Sequence, residues 1–275
     1  ITIPRTVTSI GTQAFTRCEN LESVYIDANI TELPGYVFQS CVNLRLISLP
    51  ASLETISSTA FVNCNNITQF IVADGNEYYA VEERSGGLFN ADYTELYMLP
   101  AGITEFVVPA TLEVEDLAEI LADYSTITTI SVEEGNTVYT SLENVVYNSQ
   151  TWDIVFLPAG IKEIELPAAM TTLSATTLSV INACTTLEEI RIQDSETPVT
   201  RDFNLKYNVL YSSDWTVLAV PKAMDVYTIP NEVTELSPYD FMFGDRTGGA
   251  NTAIETITYE KTGTRTQPLV IEVGS

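Results

Sequence analysis

Apolar residues recur with a period of 23 residues over the first 72 positions of the chain. Phe15, Phe38 and Phe61 mark this step, and a cysteine follows each of them three residues later. Val, Ile and Leu residues keep the same spacing between these markers. A fixed period of this length is typical of a solenoid, whose coils bury their apolar faces only against neighbouring coils. The pattern therefore predicts stacked coils around an apolar core.

Each predicted coil contains one strand motif of the form L-x-x-V-x-I. In residues 21–26, Leu21, Val24 and Ile26 are predicted to face inward, and the residues between them to face solvent. Proline often follows the motif and ends the strand, because it cannot donate the next ladder hydrogen bond. The motif recurs nine times, beginning at Leu21, Leu44, Ile67, Ile103, Ile127, Ile161, Leu187, Met224 and Ile254.

The spacing of these motifs separates short coils from long ones. Successive motifs begin 23, 23, 36, 24, 34, 26, 37 and 30 residues apart. In the first short coil, Val7 and Ile10 predict a second short strand, and Ala14, Phe15 and Cys18 predict the buried side of one or two helical turns. In each long coil, two β-rich runs joined by polar residues predict a β-hairpin in place of the helix. These hairpins are expected within residues 87–100, 145–158 and 209–221.

Glycine-containing segments predict turns and a loop. Gly75-Asn76 and Gly135-Asn136 occupy matching positions and predict turns with a positive φ. Residues 244–251 predict a polar surface loop. Residues 269–273 predict one further strand, either as a cap or as the start of the next module, since an open solenoid end exposes unpaired strand edges.

The unit I-P-x-x-V-x-x-I-x-x-x-A-F-x-x-C-x-N-L, which begins at Ile3, resembles the BspA-like, Treponema pallidum type of leucine-rich repeat. The segment from Gly87 to Pro100 is similar to the hairpin element interleaved in those proteins. The resemblance is closest over residues 1–72, and Ile120 and Leu178 replace the phenylalanine in later coils. It implies an α+β, mostly β, leucine-rich-repeat solenoid with one curved parallel sheet, short helices and hairpin insertions.

We therefore expect residues 1–275 to form a single solenoid domain. Regular 23-residue repeats cover residues 1–72, alternating short and hairpin-bearing coils cover 73–259, and a C-terminal strand or cap covers 260–275. The sequence opens on Ile1 inside a strand motif and carries no leader-like segment, so we expect a fragment or a mature form.

Proteins that this chain resembles are typically exported surface proteins of Bacteroidetes, spirochaetes and some parasitic protists, and they are implicated in adhesion. The resemblance implies a non-enzymatic protein that is extracellular or held on the outer cell surface, for instance by a lipid anchor. Its partner would be a protein ligand, such as a host matrix or cell-surface protein. The alternative is a structural spacer that presents another module of a longer surface protein.

Charge and hydropathy exclude two kinds of partner. The chain has 12 basic and 37 acidic residues, a net charge of −25. Such a chain repels phosphate backbones, so we expect no nucleic-acid partner. No stretch approaches the roughly 18–20 consecutive apolar residues of a membrane span, so we expect no membrane insertion.

The chain offers no residues for familiar catalytic chemistry. It has no histidine, which excludes Ser-His-Asp and Cys-His sites and H-E-x-x-H zinc sites. Cys18, Cys41 and Cys64 lie too far apart for zinc templates, and we expect them to be buried free thiols, one per coil. The acidic clusters lack the alternation of calcium loops. We predict no catalytic residue, metal site or cofactor.

The outward face of the strands is the predicted binding surface, because solenoids present extended surfaces of this kind. An ordinary solvated sheet face is the alternative for each residue of it. The predicted binding residues are Glu22, Tyr25, Arg45, Glu105, Glu163, Glu165, Glu188, Glu189, Arg191, Asp225 and Glu255.

Overall fold

The structure is a computed structural model that describes residues 1–113, 117–236, 254–260 and 270–271. The chain divides into two compact units, Ile1–Val138 and Tyr139–Ser275. The loop predicted at 244–251 lies outside the described residues, as does most of the predicted C-terminal strand. A single solenoid domain over residues 1–275 stays a prediction.

Unit 1 contains eleven described strands and one described helix. They are β1 Thr2–Ile3, β2 Ser23–Ile26, β3 Glu32–Leu33, β4 Leu46–Leu49, β5 Thr55–Ile56, β6 Gln69–Val72, β7 Tyr79–Val81, β8 Leu88–Asn90, β9 Leu96–Met98, β10 Glu105–Val108, α1 Leu117–Leu121 and β11 Thr129–Val132.

Unit 2 continues the alternation of short and long coils over its described residues. Its elements are β12 Tyr139–Leu142, β13 Val145–Asn148, β14 Ile154–Phe156, β15 Glu163–Leu166, α2 Ala175–Ala183, β16 Glu189–Ile192, β17 Phe203–Lys206, β18 Val209–Ser212, β19 Val217–Ala219, β20 Val226–Ile229, β21 Glu235–Leu236, β22 Thr256–Tyr259 and β23 Val270–Ile271.

The strand motifs pair in parallel, as the solenoid prediction requires. In unit 1 the order is β1-β2-β4-β6, and Val24 pairs with Ile47 and Ile47 with Phe70. Each partner lies 23 residues further along the chain, so the sequence period is the register of the sheet. The fold class, mostly β with parallel sheets and short helices, is confirmed.

The long coils interrupt the parallel ladder within each unit. In unit 1, β6 ends one parallel sheet and β10 begins the next, which it forms with β11. In unit 2, β15-β16 and β20-β22 are likewise separate sheets. The motifs of each unit therefore occupy several parallel sheets instead of one continuous ladder.

Each long coil forms a three-stranded antiparallel sheet, β7-β8-β9, β12-β13-β14 or β17-β18-β19. The hairpins predicted from sequence are present as the second and third strands. The first strand was missed, because its residues precede the run of β-formers. In the second and third long coils it joins the hairpin through two residues with positive φ, such as Tyr207 and Asn208 at 52° and 64°, typical of a tight type I′ turn.

The helical turns predicted around residues 14–18 are replaced by hydrogen-bonded turns. Gln13 and Arg17 have positive φ, 62° and 58°, which a helix does not allow. The N–H groups of Phe15 and Arg17 donate instead to carbonyls of the next coil, Val37 at 2.9 Å and Gln39 at 2.7 Å. Because these donors serve the neighbouring coil, they are not available for a helix. Helices do occur in later short coils, as α1 and α2.

Stacked side chains fill the core of unit 1. The rings of Phe15 and Phe38 lie 5.4 Å apart, and those of Phe38 and Phe61 lie 5.8 Å apart, nearly parallel in both pairs. Phe38 is fully buried. The stack follows directly from the 23-residue step.

The cysteine prediction is confirmed for Cys41 and Cys64, which are free and buried. It is wrong for Cys18, which is free but only partly buried, because no earlier coil within this chain covers it. Cys184, in unit 2, is also free and partly buried.

Candidate protein-binding surface

The outward face of unit 1 combines aromatic, apolar and polar side chains. Across β2, β4 and β6, the parallel register aligns Tyr25 with Ser48 and Ser48 with Ile71. Tyr25 is 42% exposed and Ile71 is 36% exposed. Large side chains with this exposure on a strand face offer contact area and lose little conformational entropy on binding, which is a common property of binding surfaces.

Two charged candidates of unit 1 precede strands of this row, and a third lies on a separate sheet. Glu22 and Arg45 are exposed and precede β2 and β4, and Glu105 is exposed on β10. Their carboxylates and guanidinium have no ion-pair partner within the described part of the chain. They are therefore available to a charged partner.

In unit 2 four of the seven charged candidates take part in ion pairs. Lys162 Nζ contacts Glu188 Oε1 at 2.6 Å. Arg191 forms an ion pair with Glu163 across the β15-β16 register and lies 4.0 Å from Glu189. Such exposed pairs contribute about 0–1 kcal/mol each, so they order the surface more than they stabilise the fold.

Most of the predicted binding residues are exposed in both units. Nine of the eleven are exposed, and Glu165 and Glu189 are partly buried. The sequence reasoning omitted Ile71 and Leu46 from this face, although both occupy outward positions of the alternating pattern. It also omitted Tyr207. Tyr207 was missed because its position depends on the long coil's turn.

A groove of about 580 Å³ lies in unit 2 at the interruption between β16 and β20. Tyr207 is 41% exposed and Val226 is 42% exposed, and both border the groove together with the acids Glu188 and Asp225. The remaining lining residues are Asn208, Ala223, Met224 and Thr228.

An ion cluster holds the long coil's turn in place beside the last coils. Lys206 Nζ lies 2.9 Å from carboxylate oxygens of both Glu232 and Glu260. The Asn231 backbone N–H donates to Glu260 Oε2 at 2.9 Å. This bond and the bond from Lys206 lower the pKa of Glu260 to about 2. The cluster positions the neighbouring Tyr207 at the groove.

A smaller cleft in unit 1, of about 190 Å³, contains no reactive group. The hydroxyl of Tyr124 donates to the Leu99 carbonyl and accepts from the Leu99 N–H. Cys64 Sγ donates to the Phe38 carbonyl at 2.9 Å, and burial raises the pKa of its thiol to about 11. This thiol is therefore protonated at neutral pH and is a poor nucleophile.

The described residues include neither a metal-binding cluster nor a helix that could cross a membrane. They contain no group of three or more His, Cys, Asp or Glu side chains arranged to hold a metal ion. Within the same residues, no helix has the length and apolar character needed to cross a membrane.

Parallel strand motifs stacked at a 23-residue step, with antiparallel insertions in the long coils, define a leucine-rich-repeat solenoid. A family model described as "BspA type Leucine rich repeat region" matches residues 1–82 in six copies. The resemblance noted from the repeat unit is therefore confirmed, and the N-terminal part of the chain consists of BspA-type repeats. No curated protein matches the chain.

Three solved structures are similar to the chain. A leucine rich cell surface protein from Faecalibacterium prausnitzii A2-165 is 17% identical with a TM-score of 0.45, and the alignment covers 100% of this chain and 82% of that one. A leucine-rich repeat protein from Eubacterium ventriosum ATCC 27560 is 18% identical with a TM-score of 0.41, and the alignment covers 96% of this chain and 77% of that one. The pneumococcal vaccine antigen PcpA is 14% identical with a TM-score of 0.43, and the alignment covers 94% of this chain and 67% of that one.

Proposed function

We propose that this chain is a non-enzymatic, surface-exposed scaffold that binds a protein ligand, such as a matrix or cell-surface protein, through the outward faces of its strands. The observation that carries the proposal is the row formed by Tyr25, Ser48 and Ile71, in which two large side chains are exposed on a regular sheet face. The repeat type supports the location and the adhesive role by resemblance.

Charge supports a protein partner with a basic surface. The chain carries a net charge of −25, and Glu22 and Glu105 are exposed without ion-pair partners among the residues described. Acidic surfaces speed encounter with basic partners through long-range attraction, which salt screens. Binding should therefore weaken when salt rises from about 0.05 M to about 0.5 M.

The test is a Tyr25→Ala, Ile71→Ala double variant, measured for binding to intact host cells and to surfaces coated with collagen, laminin or fibronectin. Loss of two exposed anchors should weaken binding about tenfold or more. The matched control is Val42→Ala with Tyr78→Ala, which removes similarly exposed side chains that lie outside the strands.

Equal binding by the parent, the double variant and the control would show that this face is not the binding surface. No binding by the parent to any of these surfaces would contradict the adhesive role. The spacer alternative would then be the better account.

A further inference from the structure

One edge of β20 lacks a strand partner among the described residues. On its other side β20 pairs with β22, where the Asp225 carbonyl accepts from Glu255 N–H at 2.8 Å and the Ile229 carbonyl accepts from Glu260 N–H at 3.0 Å. Alternate residues of a strand direct their backbone groups to opposite edges. Val226 and Thr228 therefore direct their N–H and C=O groups away from β22.

The strand that would continue this ladder, β16, pairs with β15 instead. Its residues use alternate N–H groups toward β15, as Glu189 and Gln193 do in donating to Lys162 and Leu166. Over the described residues, one backbone hydrogen bond links the start of the β16 motif to the residue before the β20 motif, from Ala223 N–H to the Leu187 carbonyl at 2.9 Å. It lies before both strands begin, and the strands beyond it are not paired.

The same arrangement occurs in unit 1, which indicates a property of the long coil. There, Ala101 N–H donates to the Ile67 carbonyl at 2.7 Å, and β6 and β10 are then not paired. The cleft of about 190 Å³ in unit 1 borders Ile67 and Ala101 but no residue of β6 or β10. The groove of about 580 Å³ in unit 2 is instead lined by Val226 and Thr228 of β20. Only the larger volume lies within the usual range of about 300–1,000 Å³ for ligand sites.

Side chains around the unit 2 groove favour a basic, extended occupant. Asp225 is exposed, and its carboxylate has no ion-pair partner within the described part of the chain. Glu188 borders the same groove, and Glu255 is exposed on the next coil. Tyr207 and Val226 add apolar surface at the mouth of the groove.

We propose that this groove receives one extended, basic segment of a partner protein as an added β-strand. The segment pairs with the free backbone groups of Val226 and Thr228, places a Lys or Arg beside Asp225, and packs an apolar side chain against Tyr207. Backbone pairing supplies affinity in this mode, and alternate side chains supply specificity. The inference rests on the proposed protein-binding function and assigns it a kind of partner.

The first experiment measures amide hydrogen exchange by NMR in the free protein. The Val226 and Thr228 amides should exchange faster than that of Tyr227, which lies between them and faces β22. Equal protection of all three amides would show that this edge is already paired and would overturn the proposal.

The second experiment selects binders from a display library of random linear peptides. We expect selected peptides to alternate Lys or Arg with β-forming residues. N-methylation at every second backbone amide should weaken their binding about tenfold or more, whereas methylation at the intervening amides should change it little. Binding of such a peptide should also slow exchange of the Val226 and Thr228 amides. Failure to select any peptide, or binding insensitive to N-methylation, would overturn the proposal.

The third experiment uses Val226→Pro, which removes the N–H that faces the groove and leaves the ladder to β22 intact. The affinity of this variant for the selected peptide should fall about tenfold, whereas the affinity of the control Val226→Ala, which keeps the N–H, should not change. Asp225→Lys should weaken basic peptides and leave folding unchanged, and it tests the site even if the proline variant does not fold.

The outcomes separate this inference from the proposed function. If cell or matrix binding depends on Tyr25 and Ile71 but peptides do not use the groove, the binding role stands and the added-strand inference fails. If peptides pair with β20 and the chain binds no cell or matrix surface, the groove stands and the adhesive role fails.

Discussion

A buried thiol in this protein links its own coil to the coil before it. Cys41 Sγ donates to the Phe15 carbonyl at 3.0 Å, and Cys64 Sγ donates to the Phe38 carbonyl at 2.9 Å. Burial raises the pKa of both thiols. Each thiol therefore fills space in the core and adds a second donor to a carbonyl that already accepts a turn hydrogen bond, from Cys18 N–H at Phe15 and from Cys41 N–H at Phe38.

The four cysteines should differ in reactivity in the folded protein. At about pH 8, a disulfide-exchange reagent should modify Cys18 and Cys184 readily, because both are partly exposed. Cys41 and Cys64 should react only after denaturant is added. A Cys18→Ser, Cys184→Ser variant should lose the fast phase of thiol modification. Modification of Cys41 or Cys64 at the rate of Cys18 in the native protein, followed by mass spectrometry, would contradict their burial.

The turns that open the first two long coils are held by matching asparagines. Asn76 Nδ2 donates to the carbonyls of Pro50 and Leu53 at 2.9 and 3.0 Å, and its Oδ1 accepts from Tyr78 N–H and Tyr79 N–H. Asn136 forms the equivalent bonds one long coil later. Each preceding glycine has the expected positive φ, 85° at Gly75 and 98° at Gly135.

Replacing Asn76 with Ala should destabilise the protein by about 2–3 kcal/mol, because two carbonyls and two amides lose a partner in a partly buried site. Asn76→Asp should be destabilised as well, because it keeps the acceptor for the two amides but places a second carboxylate oxygen against the Pro50 and Leu53 carbonyls. The exposed Asn65 provides the control, and Asn65→Ala should change stability by less than about 0.5 kcal/mol. Urea unfolding measures all three. If Asn76→Ala lowers the free energy of unfolding no more than Asn65→Ala does, the hydrogen bonds of Asn76 do not stabilise the protein.

At the scale of the whole molecule, charge is the dominant property. The chain has 12 basic and 37 acidic residues. Among the described residues, ion pairs with neighbouring carboxylates are formed by Arg84, Lys162, Arg191 and Lys206. Most acids therefore remain uncompensated. Mutual repulsion between copies opposes edge-to-edge pairing of exposed strands, a hazard for any protein with unpaired edges.

This repulsion predicts self-association near the isoelectric point of about 4.1. Light scattering should report a larger apparent mass at that pH than at pH 7 in low salt. The contact between Lys206 and Glu260 should persist there, because hydrogen bonds from Asn231 N–H and Lys206 lower the pKa of Glu260 to about 2. Near-ultraviolet circular dichroism serves as the control that the fold is retained. An apparent mass independent of pH would show that charge does not limit association.

Periodic and local features of the fold were predictable from sequence. The 23-residue step predicted the parallel register, because each coil places the same residue beside its equivalent. Proline ended the strands as expected, with β4 ending at Leu49 and β10 at Val108. The Gly-Asn pairs and the β-rich runs predicted turns and hairpins, since backbone preference over a few residues determines them.

The tertiary structure alone decided the features that depend on spacing between distant coils. The turns at residues 13–17 replace a helix because their N–H groups donate to the next coil, which local propensity does not reveal. The ion pair of Arg191 with Glu163 depends on the register of β15 and β16 across a short coil. The separation of β16 from β20 depends on how far a long coil displaces its neighbours. The sequence by itself therefore determined the repeat, its register and the exposed strand face. The edge of β20 that has no strand partner among the described residues, and the groove beside it, arose only from the stacking of unequal coils, because ladder pairing requires strands about 4.8 Å apart.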